Sequence, residues 1–106
     1  MIDYQDFSKI ELKIAKVLEA ERIGGSEKLI KLKILVGEEE RQIIAGIGKS
    51  YNPEDLINKL IVVVNNLEPK TLMGLKSQGM LLAASEEGKI VLLVPDKEIN
   101  PGAVVK

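Results

Sequence analysis

Apolar and polar residues alternate along much of this chain, and the places where alternation fails are as informative as the places where it holds. Over residues 29–36, Ile30, Leu32, Ile34 and Val36 fall on one side while Lys31 and Lys33 fall on the other. That is the period-2 signature of a strand with one buried face. Further upstream, Ile10, Leu12 and Ile14 share a phase, but the next strong apolar position, Val17, is one residue out of step. The slip predicts a β-bulge near Ala15-Lys16 and a bent strand that serves two sides of a barrel. This strand fades through Glu19-Ala20-Glu21-Arg22 into a turn at Ile23-Gly24-Gly25-Ser26. Before it, residues 3–8 read as a short turn or helix with Phe7 pointing inward.

Gly37-Glu38-Glu39-Glu40 reads as a hairpin tip, and residues 41–47 as a third strand with Ile43 and Ile44 in its middle. Asn52-Pro53-Glu54-Asp55 combines a capping residue, a proline suited to the first helical position and two acids at the positive end of the helix dipole. It predicts a helix of one or two turns that stops at Asn58-Lys59. Residues 60–64 are apolar throughout, so that strand needs cover on both faces. An irregular loop follows, carrying Lys70, Lys76 and the box Ser77-Gln78-Gly79-Met80, and it leads into a fifth strand over residues 80–84. After a turn at Glu86-Glu87-Gly88-Lys89 comes a second unbroken apolar run, 90–94. Two such runs with few helices to cover them predict a homodimer seam, or cover by the chain's own terminal segments.

Together these elements predict an all-β fold. It is a five-stranded OB-fold Greek-key barrel with a short helix between the third and fourth strands and extra terminal segments, forming a single domain over 1–106.

Composition narrows the chemistry. With no cysteine and no histidine, the chain has no disulfide, no thiolate metal site and neither the commonest general base nor the commonest metal ligand. No nucleophile–base pair assembles, so the expectation is no catalytic residue, no metal and no cofactor. Gly46-Ile47-Gly48-Lys49-Ser50 imitates the end of a phosphate-binding P-loop, but that motif needs a glycine where Ile43 stands. Lys49 is left as an isolated phosphate contact. No run approaches the roughly 18 apolar residues of a membrane span. The opening Met1-Ile2-Asp3-Tyr4-Gln5-Asp6 lacks the basic and apolar regions of a signal peptide. The expected compartment is the cytoplasm, and the reading leans towards a free-standing subunit.

The formal charge of −1, from 15 basic and 16 acidic residues, does not announce a nucleic-acid binder, so any basic face must arise by segregation of charge in the fold. The three aromatics, Tyr4, Phe7 and Tyr51, are too few for a base-stacking platform. RNA, if bound, is read by backbone and shape.

The chain resembles the tRNA-binding domain found in the C-terminal part or separate β subunit of methionyl-tRNA synthetases, in free-standing tRNA-binding proteins and in endothelial-monocyte-activating polypeptide. The resemblance rests on Asp6-Phe7 with Lys9-Ile10-Glu11-Leu12, on Ser26-Glu27-Lys28-Leu29-Ile30-Lys31-Leu32, and on Arg41-Gln42-Ile43-Ile44-Ala45-Gly46-Ile47. It also rests on Tyr51 through Leu56 and, most specifically, on Asn66-Leu67, Pro69-Lys70, Gly74 and Ser77-Gln78-Gly79-Met80-Leu81-Leu82-Ala83-Ala84. A related export chaperone shares the fold without a clean form of that box. The resemblance implies a homodimer that grips the outer corner of tRNA and raises the tRNA affinity of a synthetase catalytic subunit. It implies tRNA contacts at Lys28, Ser77 and Met80. Charge and placement add Lys33, Lys49, Asn66 and Lys76, and Gln78 joins Ser77 as a hydrogen-bonding group for phosphate, 2′-hydroxyl or base edge. Two departures stand out: Gly24-Gly25 replaces a His-Pro common in relatives, and Thr71 stands where many carry a second basic residue. The rival readings are a dimeric peptide-binding chaperone and a protein-docking module of a synthetase complex.

Overall fold

The structure is a computed structural model describing residues Met1–Lys106. Its elements in order are a helix α1 (Tyr4–Ser8), strands β1 (Leu12–Arg22), β2 (Ile30–Val36) and β3 (Glu39–Ala45), and a 3-10 turn (Pro53–Asp55). After these come β4 (Leu60–Val64), β5 (Lys70–Leu72), β6 (Leu75–Ser77), β7 (Met80–Leu81), β8 (Ala83–Glu86), β9 (Lys89–Leu92) and β10 (Val104–Val105). The main sheet runs β3-β2-β1-β4-β7 with β10 also on β1, all antiparallel. It curls into a barrel of the OB type.

The alternation over β2 is realised without exception: Ile30, Leu32, Ile34 and Val36 are all buried. They meet Ala15 and Val17 of β1, Ile43 and Ala45 of β3, and Ile61 and Val63 of β4 in one core, which Leu56 plugs from the turn after Pro53–Asp55. Each fully buried Val, Leu or Ile contributes about 1.5–3 kcal/mol relative to exposure.

β1 departs from the expected bulge. The register shift lies between Val17 and Glu19, so the extra residue is Leu18 rather than Ala15-Lys16. The slipped period has another cause: both faces of β1 are covered. Ala15 and Val17 enter the core, whereas Ile14 is buried on the opposite side, paired with Val62 of β4. The tail folds over that side, where Ile14 donates to Ala103 O at 2.9 Å and accepts from Gly102 N at 2.7 Å. The strand also does not fade, since Glu19, Ala20, Glu21 and Arg22 all pair with β2.

Cover on both faces of β4 is also real. Ile61 and Val63 point into the core, and Val62 and Val64 are buried on the other face. The run 90–94 differs: Leu92 is buried, while Val91, Leu93 and Val94 are exposed. Three smaller expectations are corrected. Phe7 lies at the surface, because α1 buries no residue. The predicted helix shrinks to one 3-10 turn, and Asn52 does not cap it; its Oδ1 accepts from Arg22 Nη2 at 3.3 Å instead. The fifth strand is broken at Leu82 into β7 and β8.

Candidate nucleic-acid interface

The expected irregular loop is largely a hairpin. β5 and β6 pair Lys70 with Ser77, Thr71 with Lys76 and Leu72 with Leu75, turning through Met73 and Gly74, both at positive φ. The hairpin packs on β3, and the box behind it closes the barrel. β3 is an edge strand whose outward groups need partners. Gln42 O accepts from Gln78 N at 2.8 Å, Gln42 N donates to Gln78 Oε1 at 3.3 Å, and Ile44 N donates to Ser77 Oγ at 2.9 Å. Ser77 Oγ in turn donates to Gly79 O at 3.3 Å. Gly79 itself has φ +119°, and a Cβ there would stand 2.9 Å from Val64 O. Only glycine lets the chain pass from the β3 seam onto β4 so closely.

The polar groups of the box serve the barrel seam in this structure. Ser77 is buried and its single donor is spent. Gln78 gives its carbonyl oxygen and backbone N–H to β3. Met80 is the box's exposed side chain, 48% accessible. Asn66 is likewise occupied, accepting from Glu11 N at 2.8 Å and donating to Lys9 O at 2.7 Å, which straps the N-terminal segment to the end of β4.

The lysines divide into two kinds. Lys33 Nζ lies 3.3 Å from Glu19 Oε2 and 3.4 Å from Glu40 Oε1, and these carboxylates, Glu19 foremost, hold its ammonium above the ordinary lysine pKa of 10.5. Lys31 is paired with Glu21 at 2.5 Å. Lys28, Lys49, Lys70 and Lys76 are exposed and make no ion pair. Lys28 sits in the β1–β2 loop with its alkyl chain across Gly46, where an added Cβ would lie 3.0 Å from Lys28 Cε. Gly48 N donates to Lys28 O at 2.7 Å, so Lys49 follows directly on the same loop cluster. Arg22, unremarked in the sequence, locks that cluster through Gly48 O at 2.9 Å and Asn52 Oδ1. Lys70 and Lys76 stand on the hairpin. Its tip reaches the β1–β2 loop, Met73 Cε lying 3.8 Å from the Cβ position of Gly25.

Two loop systems carrying unpaired lysines thus meet around the β2–β3 side of the barrel. In OB folds the strand 2–3 face and the loops joining strands 1–2 and 4–5 form the side that takes nucleic acid and oligosaccharide. Fold and topology define an OB barrel with unpaired lysines on two of its loop systems.

Comparisons with known proteins make the class specific. The family model described as "Putative tRNA binding domain" matches residues 12–104, and the chain belongs to that family. It is 58% identical over 107 residues, 98% of this chain, to methionine–tRNA ligase of Caldanaerobacter subterraneus subsp. tengcongensis, and 58% identical over 104 residues to that of Thermotoga maritima. The chain spans only 17% and 16% of those ligases. Among solved structures, the MetRS-related protein of Pyrococcus horikoshii is 41% identical with a TM-score of 0.95, covering 100% of this chain and 98% of that one. The chaperone CsaA of Bacillus anthracis is 39% identical with a TM-score of 0.92, covering 100% and 99%.

Proposed function

We propose that residues 1–106 act as one non-catalytic module that binds tRNA by backbone and shape. Lys28, Lys49, Lys70 and Lys76 supply the phosphate contacts and Met80 packs against sugar or base. The observation that supports this most is the gathering of unpaired lysines from two separate loops beside the family's box. Ser77, Gln78 and Asn66 act as positioning residues: they fix the hairpin and the barrel seam on which those lysines stand. Lys33 is held back by its two carboxylates and contributes little.

In this reading the module serves a methionyl-tRNA synthetase in the cytoplasm, as a β subunit or appended domain, and raises its effective affinity for tRNA by tethering. The ligase relatives, of which this chain matches a small part, favour that role. The module works as a homodimer. The exposed Val91, Leu93 and Val94, beside an apolar groove that includes Ile14, Val62, Ile99 and Val104, offer the surface a second copy would cover.

The likeness to CsaA favours a second reading, a chaperone that holds peptide in the dimer groove. One titration separates the two. Bulk tRNA is expected to bind better than single-stranded or duplex RNA. With three to five phosphates neutralised, log affinity should fall against log salt with a slope of about −2 to −4.5. A flat salt dependence, or tRNA binding no tighter than single strands, would overturn the tRNA reading.

A further inference from the structure

The outer face of β1–β2–β3 is where a single strand would cross an OB barrel, and here it is electrostatically closed. Glu19 and Glu21 of β1 stand opposite Lys33 and Lys31 of β2, and Glu40 reaches Lys33 from β3. Glu19, Glu21, Lys31, Lys33 and Gln42 line a groove of about 250 Å³, and Glu40 stands beside it through its contact with Lys33. The two lysines of the groove are matched by its two carboxylates, and Glu40 adds a third beside Lys33, so no cationic charge is left free on that face although its strand carries two lysines. No aromatic side chain lines it. Tyr51, the one aromatic packed on the core, accepts a hydrogen bond from Leu92 N at 3.0 Å and lies elsewhere.

Exposed ion pairs of this kind are individually worth only about 0–1 kcal/mol, so phosphate could win the lysines from their partners. The carboxylates would remain, anchored on adjacent strands and facing the incoming phosphates. A single strand tracks a groove and must lie among them. A folded RNA that rests on the surrounding loops need not.

Building on the tRNA reading, we infer that Glu19, Glu21 and Glu40 are specificity residues: they exclude single-stranded RNA from the β1–β2–β3 groove and confine binding to the lysine rim. Specificity then comes from repulsion of the wrong partner as much as from attraction of the right one.

The experiment compares a Glu19→Gln/Glu21→Gln/Glu40→Gln variant with the unaltered chain on bulk tRNA and on single-stranded oligonucleotides, each across a salt series. The substitutions are at exposed positions and preserve side-chain shape. A Glu86→Gln/Glu87→Gln/Glu98→Gln variant, at exposed positions on the β8–β9 hairpin and the tail, removes the same number of charges and controls for overall charge. The groove variant is expected to bind single strands more tightly. Its salt slope for them should steepen by about 1.4, because two freed lysines each add about 0.7. The ratio of tRNA to single-strand affinity should fall, and the control should leave that ratio unchanged. The inference alone is overturned if the unaltered chain binds tRNA but the groove variant's single-strand affinity stays the same. It is also overturned if tRNA gains as much as the single strands, or if the control matches the groove variant. An unaltered chain that binds neither RNA overturns the tRNA reading and this inference with it.

Discussion

Lys28 and Lys33 are five residues apart in one charged stretch, yet the fold gives them opposite circumstances. Lys33 projects from the middle of β2 between two flanking strands, and each flank supplies a carboxylate within 3.4 Å. Lys28 stands in the loop before the strand, over a glycine, with no acid paired to it. A lysine inside a sheet has cross-strand neighbours at fixed spacing, and an opposite charge there is mildly stabilising. A lysine on a loop has no such neighbour imposed on it. The difference teaches that on β2 the flanking strands match each lysine with an acid, whereas Lys28, just before that strand, is left unpaired.

The largest expected effect comes from striking the loop side of that comparison. Reversing Lys28 and Lys76 to Glu together should remove two phosphate contacts and flatten the salt slope by about 2. At physiological salt, counterion release alone makes that a loss of roughly 30-fold in tRNA affinity. Circular dichroism should show the barrel intact, because neither side chain is buried or hydrogen-bonded. A variant that still binds tRNA with the original slope removes these lysines from the interface.

The next effect belongs to the seam between the two regions. Ser77→Ala leaves the Ile44 N–H without its partner at a buried position, which should cost about 1–3 kcal/mol. Thermal unfolding should shift down by at least about 4 °C for a domain of this size. Affinity for tRNA, measured well below the transition, should fall less than for the lysine reversals. A large loss of binding with unchanged melting would mean that the hydroxyl meets RNA itself.

On the strand side, Lys33→Gln should change tRNA affinity by less than about twofold and leave the salt slope unaltered, because that charge is already matched by Glu19 and Glu40. A slope change near 1 would return Lys33 to the set of phosphate contacts and erase the contrast with Lys28.

What could be read from the sequence follows the same division. β2 was legible because its period is strict and one face is buried. β4 was legible because an unbroken apolar run has to be covered twice. β1 was misread near Ala15-Lys16 because two covered faces imitate a slipped period, and nothing in the local pattern marks Leu18 as the extra residue. The hairpin of β5 and β6 was missed because three-residue strands around Met73-Gly74 carry too little alternation to register. The candidate lysines were visible as charges, but whether each was paired depended on Glu19, Glu21 and Glu40 from neighbouring strands, information that exists only in register. Lys70 gave the same signal as Lys76, yet the hairpin register sets the two on opposite faces. Ser77 looked like a ligand because a serine beside a lysine on a loop has that chemistry; the edge of β3 claimed its hydroxyl first.

The smallest effect tests whether a charge used inside the fold behaves differently with pH from those on the rim. Glu11 accepts a hydrogen bond from Asn65 Nδ2 at 2.6 Å, and Lys13 and Arg41 add favourable charge; these hold its carboxyl below the ordinary value of 4.5. A carboxyl with a lowered folded pKa stabilises the fold fully above the unfolded value and loses that contribution as pH falls through the folded one. The tie between the start of β1 and the end of β4 should therefore loosen only below about pH 4.5. Because Glu11 is exposed, the change should be local, seen as faster amide exchange at Asn65 and Asn66 rather than as global unfolding. Glu11→Gln should abolish that pH dependence. Exchange at those amides that accelerates equally on acidification in the Gln variant would show that another carboxylate carries the tie.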